Sequence, residues 1–172
     1  MWLRGTNGRG KTSLLRMLAG VSRPAHGHIE NPQPVVYLGH QDALKGDLTA
    51  LESLAFLVQL HGKHSARALP GHDTQPLLAA LARVGLASRA HLPVRALSQG
   101  QRKRVALARL CLTLPGTVWL LDEPLDALDD QGVALVLTLI AEHRAQGGAV
   151  VLTSHQTVPG DDLTVFDLGG GA

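Results

Sequence analysis

Gly5-Thr6-Asn7-Gly8-Arg9-Gly10-Lys11-Thr12 has glycine at its first and sixth places and closes on lysine and threonine. That is the full spacing of a phosphate-cradling P-loop. Residues 1–4 read as a short strand running into it. Residues 11–19 carry Leu14, Leu15 and Leu18 at helical spacing and stop at Gly20. The glycines let the backbone turn so that successive amides face phosphate oxygens, and the helix that follows adds the positive end of its dipole. In this reading Gly5, Thr6, Asn7, Gly8, Arg9, Gly10 and Ser13 bind nucleotide with the backbone or a side chain. Lys11 holds the β- and γ-phosphates, and Thr12 places its hydroxyl on Mg²⁺.

Working outward, apolar runs at 35–38, 118–121 and 149–153 suit buried strands. Helical patterns cover 49–60, 75–84, 98–112 and 131–145. Thr49 with Glu52, and Ser98 with Gln101, stand at capping-box spacing. Strands alternating with helices favour an α/β fold with a parallel sheet. Residues 62–73 are polar and loop-like, and the section from about 47 to 96 reads as a helical insert in a core made of 1–46 and 97–172.

The bulk properties narrow the field. The chain has 172 residues and is 45% hydrophobic, enough to close a core. Sixteen Lys and Arg against fourteen Asp and Glu leave a net charge of +2, too even for a nucleic-acid-binding face. Arg102, Lys103, Arg104 and Arg109 are accordingly read as solvated or locally paired. Cys111 is the only cysteine, so no intrachain disulfide forms. The longest strongly apolar stretch, 133–141, is far below the roughly 20 residues of a membrane-spanning helix. A loop beginning at Gly5 leaves no room for a signal peptide. The scattered histidines His26, His28, His61, His64 and His72 have no zinc-like spacing.

Val118-Trp119-Leu120-Leu121-Asp122-Glu123 is an apolar strand ending in two carboxylates. Behind a P-loop, the first suits the Mg²⁺ shell and the second the orientation of attacking water. Leu97-Ser98-Gln99-Gly100-Gln101 closely resembles the signature sequence of ABC-type ATPases, with Gln99 where glycine is usual. Gln41 at a strand exit resembles the Q-loop of that family, Leu128-Asp129 the D-loop, and His155 the switch histidine. The resemblance implies a P-loop NTPase of the ABC ATPase type that binds ATP and Mg²⁺. Glu123, His155 and Gln41 would be catalytic; Thr12, Gln41 and Asp122 would hold the metal. Ser98, Gly100 and Gln101 would reach the ATP held by a second subunit.

The match is closest to the ATP-binding subunit of the heme exporter of cytochrome c maturation. Three segments carry it: Tyr37-Leu38-Gly39-His40-Gln41 with 44–52; Leu121-Asp122-Glu123-Pro124 through Asp129, with Gly132-Val133; and Gly147-Gly148 leading to Thr153, His155 and Gln156. What it implies is a head-to-tail homodimer, peripheral on the cytoplasmic face of the bacterial inner membrane. That dimer would drive integral membrane subunits of the cytochrome c maturation system through the helical insert, with heme as the cargo and no nucleic acid. An ATPase subunit for another small substrate, and a soluble ABC ATPase fragment, are the alternatives; a tandem-domain protein of the second kind would carry another P-loop and signature. ABC ATPases normally open with strands that build a small antiparallel subdomain and supply an aromatic residue for adenine. With only residues 1–4 ahead of the P-loop, these are expected to be largely missing here, by truncation or late start assignment, with Trp2 in the core.

Overall fold

A computed structural model describes residues 1–40, 43–60, 73–159 and 163–169. The first strand, β1 (Trp2–Arg4), delivers the glycine-rich loop to helix α1 (Lys11–Leu18), and β2 (Val35–Leu38) follows. Helices α2 (Ala50–Leu60), α3 (Gln75–Arg83) and α4 (Gln99–Ala108) come next. The chain then runs through β3 (Val118–Leu121), α5 (Asp130–Ala145), β4 (Ala149–Thr153) and β5 (Val165–Asp167).

The five strands form one sheet in the order β2-β3-β4-β1-β5, and every neighbouring pair is parallel. This is the expected α/β fold. In a parallel sheet the strands all leave by the same edge, so the segments after β1, β3 and β4 gather on one side of it.

Both faces of β2, β3 and β4 are covered, which explains why these strands read as continuous apolar runs. On one face Leu3 and Leu120 pack with Leu15 of α1. On the other, Val36, Leu38, Trp119, Leu121, Val150 and Leu152 meet Leu107 of α4 and Val136 and Leu139 of α5. A separate cluster joins Leu54, Leu81 and Val84 to Val105 and Ala108 of α4.

Both capping boxes form. Thr49 N and Oγ1 donate to Glu52 Oε2, each at 2.8 Å, and Glu52 N donates to Thr49 Oγ1 at 3.2 Å. These bonds hold the Glu52 carboxyl below its usual range, the backbone donor first among them. Ser98 and Gln101 pair in the same reciprocal way.

Two expectations need correction, and one strand was not foreseen. The helix after Ser98 ends at Ala108 and tightens into a 3-10 turn, Arg109–Leu112. Lys103 and Arg109 are not solvated but 3% and 7% exposed. The Arg109 guanidinium reaches across to donate to the carbonyl of Tyr37 at 2.5 Å, tying the turn to the exit of β2. Arg104 behaves as read, pairing with Asp129. Finally, β5 has no apolar run to announce it, because Val165, Phe166 and Asp167 are all exposed on an edge strand.

A buried histidine locks the opposite end of the sheet. The His143 ring is stacked on Trp119 with centroids 3.8 Å apart, and its Nε2 lies 2.7 Å from Thr117 O. A Cβ on Gly148 would fall 2.1 Å from that Nε2, so only glycine fits there. Burial lowers the His143 pKa from its ordinary 6.5, against the opposing effect of the Thr117 bond. The unfolded chain therefore binds more protons than the folded one just below that value. Stability is full above about pH 6.5 and declines as pH falls toward the lowered folded value. Thermal unfolding across that range should show a steeper acid loss in the wild type than in His143→Phe, which keeps a ring but cannot be protonated.

Candidate functional site

The loop after β1 takes the backbone shape that its glycines permit. Gly8 and Gly10 have φ of 82° and 88°, and Gly10 forms the N-cap of α1. Side chains rarely adopt that region. Lys11 Nζ bends back over the loop, donating to Gly5 O at 2.6 Å and to Thr6 O at 3.5 Å. The ammonium thus sits against two carbonyls of the loop.

A cavity of about 350 Å³ opens on this loop. It is lined by residues 7–13 together with His40, Asp122, Glu123 and His155. Four chain segments distant in sequence therefore converge on one space. Gln41, the expected Q-loop residue, lies outside the described residues, while its neighbour His40 lines the cavity.

The two carboxylates leave β3 in different environments. Asp122 is 1% exposed and Glu123 is 6% exposed. Thr153 Oγ1, at the end of β4, donates to Asp122 Oδ1 at 2.9 Å and accepts from Glu123 N at 2.9 Å. Tyr37 Oη donates to Asp122 Oδ2 at 3.5 Å. Burial, ahead of the nearby Asp122 charge, raises the Tyr37 pKa while Arg16 pulls it down, so the phenol remains a donor. Glu123 has φ of 50°, a conformation that strains any residue with a Cβ. Its carboxylate accepts from His155 N at 3.0 Å (Oε2), and His155 Nε2 lies 3.6 Å from Oε1. The His155 side chain is 55% exposed, so its ring faces the opening.

The donor set suits a hard cation. Thr12 and Asp122 offer oxygen only, and among the described residues no group of three His, Cys, Asp or Glu could hold a metal by itself. Mg²⁺ is commonly held that sparsely, by one or two carboxylates plus phosphate oxygens and water.

Ser98, Gly100 and Gln101 are not among the residues lining this cavity but stand at the start of α4, Ser98 exposed and the other two half-buried. A Cβ on Gly100 would come within 2.9 Å of Ala127 O. The signature turn is thus packed directly on the segment after Glu123. Ala127 has φ of 62°, and Asp129 caps α5 through Gly132 N at 2.8 Å. That bond, with the Arg104 ion pair second, holds the Asp129 carboxyl below its usual range.

Sequence reasoning missed Tyr37 and Thr153. Neither belongs to a motif of charged residues, and only the strand register brings them to the carboxylates. Leu121 pairs with Leu152 across β3 and β4, so the next pair out is Asp122 beside Thr153. Trp2 is half-buried against the core. Its ring carries the Arg4 guanidinium 4.9 Å from the centroid, and it lines a second cavity of about 530 Å³ beside Gly5, Thr6 and Arg9.

The description of the ABC transporter family matches residues 1–126. A relative from Cupriavidus pinatubonensis, the cytochrome c biogenesis ATP-binding export protein CcmA, is 43% identical over 96% of this chain and 75% of its own length. The protein of that name from Paramagnetospirillum magneticum is 45% identical over 91% of this chain and 75% of its own. Among solved structures, an ABC transporter ATP-binding protein from Pyrococcus furiosus superposes with a TM-score of 0.77 at 23% identity, covering 98% of this chain and 83% of its own. A dimeric ATP-binding cassette in a post-hydrolysis state, bound to ADP and Pi, superposes with a TM-score of 0.76 at 25% identity, covering 90% and 74%. With its P-loop and paired carboxylates on one cavity, the chain is an ATPase that belongs to the ABC transporter family, among the cytochrome c biogenesis ATP-binding export proteins.

Proposed function

We propose that this ATPase powers heme export in cytochrome c biogenesis, working as a head-to-tail pair on integral membrane subunits. The observation that carries the ATPase chemistry is the convergence of the P-loop, Asp122, Glu123 and His155 on one cavity. The observation that supports the export role is the likeness to relatives named for it, over nearly the whole chain. No helix among the described residues is long and apolar enough to cross a membrane. A peripheral position on the cytoplasmic face of the inner membrane accords with this, and the helical section 47–96 would carry motion to the membrane subunits.

In the proposed cycle the P-loop amides and Lys11 hold the phosphate chain. Glu123 orients a water in line with the γ-phosphorus, and His155 follows the γ-phosphate from the opening. Thr12, Asp122 and Gln41 would hold Mg²⁺, which when bound would neutralise charge on the β- and γ-phosphates. Positioning and charge neutralisation supply most of the rate, with no covalent intermediate on the protein. Ser98, Gly100 and Gln101, at a helix N-terminus, would complete the site of the partner subunit.

Complementation tests the assignment. In a bacterium lacking its own cytochrome c biogenesis ATPase, the chain should restore covalent heme attachment to c-type cytochromes, and it should co-purify with the membrane subunits of that system. Restoration of another transport activity in place of heme attachment would move the protein to a different ABC system.

A further inference from the structure

We propose that Thr153 is a positioning residue for the hydrolytic site, one hydroxyl fixing both the metal-side carboxylate and the backbone of the water-orienting glutamate. It rests on the reading in which Asp122 serves the cation and Glu123 the water. Thr153 is fully buried, with 0% exposure. Its Oγ1 spends its proton on Asp122 Oδ1 at 2.9 Å and a lone pair on Glu123 N at 2.9 Å. A hydroxyl is the smallest group that can donate and accept at once. An apolar side chain of similar volume could serve neither neighbour.

The consequences differ at the two ends. At Asp122, the bond to Oδ1 restricts rotation of the carboxylate, while Tyr37 approaches Oδ2 from the other strand. The carboxylate is therefore presented in one orientation rather than searching among several. At Glu123, the bond to N satisfies a buried amide and holds a residue whose φ is 50°. Strain of that kind persists only where surrounding contacts over-determine it. The same strand end continues to His155, whose amide holds Glu123 Oε2 at 3.0 Å. Thus the end of β4 and the segment that leaves it hold both carboxylates, through Thr153 on one and His155 on the other.

The test uses the full chain as Thr153→Val, which keeps the shape and loses the hydroxyl, and Thr153→Ser, which restores it. Binding of a non-hydrolysable ATP analogue is followed by calorimetry as Mg²⁺ is titrated, and ATPase rates are measured alongside. Outer-shell partners of metal ligands typically contribute 10- to 100-fold, so Thr153→Val should raise the Mg²⁺ concentration for half-maximal effect by about tenfold or more. At saturating Mg²⁺ its kcat should still fall by about tenfold, with KM little changed. Thr153→Ser should behave like the wild type. Thr153→Cys, a weak donor of similar size, should shift in the same direction by less, and it decides the matter if the valine variant does not fold.

Wild-type Mg²⁺ dependence in Thr153→Val or Thr153→Cys overturns the proposal, as does a serine variant as impaired as the valine one. Asp122→Asn separates the two levels. A shift there with none in the Thr153 variants sinks the positioning role alone. No shift in Asp122→Asn sinks the metal reading, and the positioning role with it.

Discussion

Glu123→Gln should leave ATP binding intact and lower turnover by about 100-fold or more, the usual share of a positioned acid-base group. The amide has nearly the size of the carboxylate and can still accept from His155 N, now 3.0 Å from Oε2, so the loop geometry should survive. What disappears is the negative charge that draws the proton of the attacking water. The unhydrolysed nucleotide then keeps two subunits together. Size-exclusion chromatography with ATP should show a dimer in the variant and little of it in the hydrolysing wild type. Steady-state ATPase rates near wild type in purified Glu123→Gln would require a different residue to orient the water.

Lys11→Ala should act one step earlier, on binding. Hydrogen bonds to a charged group contribute about 1.5–3 kcal/mol, which corresponds to roughly 10- to 100-fold in nucleotide affinity. A second effect adds to the first, because Lys11 Nζ also bridges the carbonyls of Gly5 and Thr6 and so helps hold the loop closed on itself. Titration with a fluorescent ATP analogue reads the loss directly. Lys11→Arg separates the contributions: it retains a charge but replaces a point donor by a planar fork, and should recover only part of the affinity. Wild-type affinity in Lys11→Ala would remove the lysine from the phosphate site.

Legibility in the sequence followed the range of the interactions. The P-loop, the capping boxes at Thr49 and Ser98, and the apolar runs of β2, β3 and β4 are encoded within a few neighbouring residues, and they stand where the pattern places them. The carboxylates could be found because an apolar strand ends at Asp122. Thr153 could not, since its role arises from a register between strands about thirty residues apart, which local patterning does not contain. Arg109 misled for a similar reason. Its cation looks solvent-facing on a helix surface, yet the chain turns to 3-10 geometry there and points the guanidinium at Tyr37 O. Edge strand β5 was invisible because an exposed three-residue strand needs no apolar signal.

The strand order also bears on how the protein is made. Trp2 pairs with Leu152 on one side and with Val165 on the other, so β1 is an interior strand whose neighbours are both encoded near the end of the described chain. The P-loop leaves the ribosome before either of these neighbours, so its supporting strand stays unpaired until β4 and β5 have both emerged. The cluster formed by α2, α3 and α4 depends on much nearer partners and can assemble while synthesis continues. The nucleotide pocket thus matures after that cluster, and the nascent chain must keep the unpaired β1 segment out of aggregates until then.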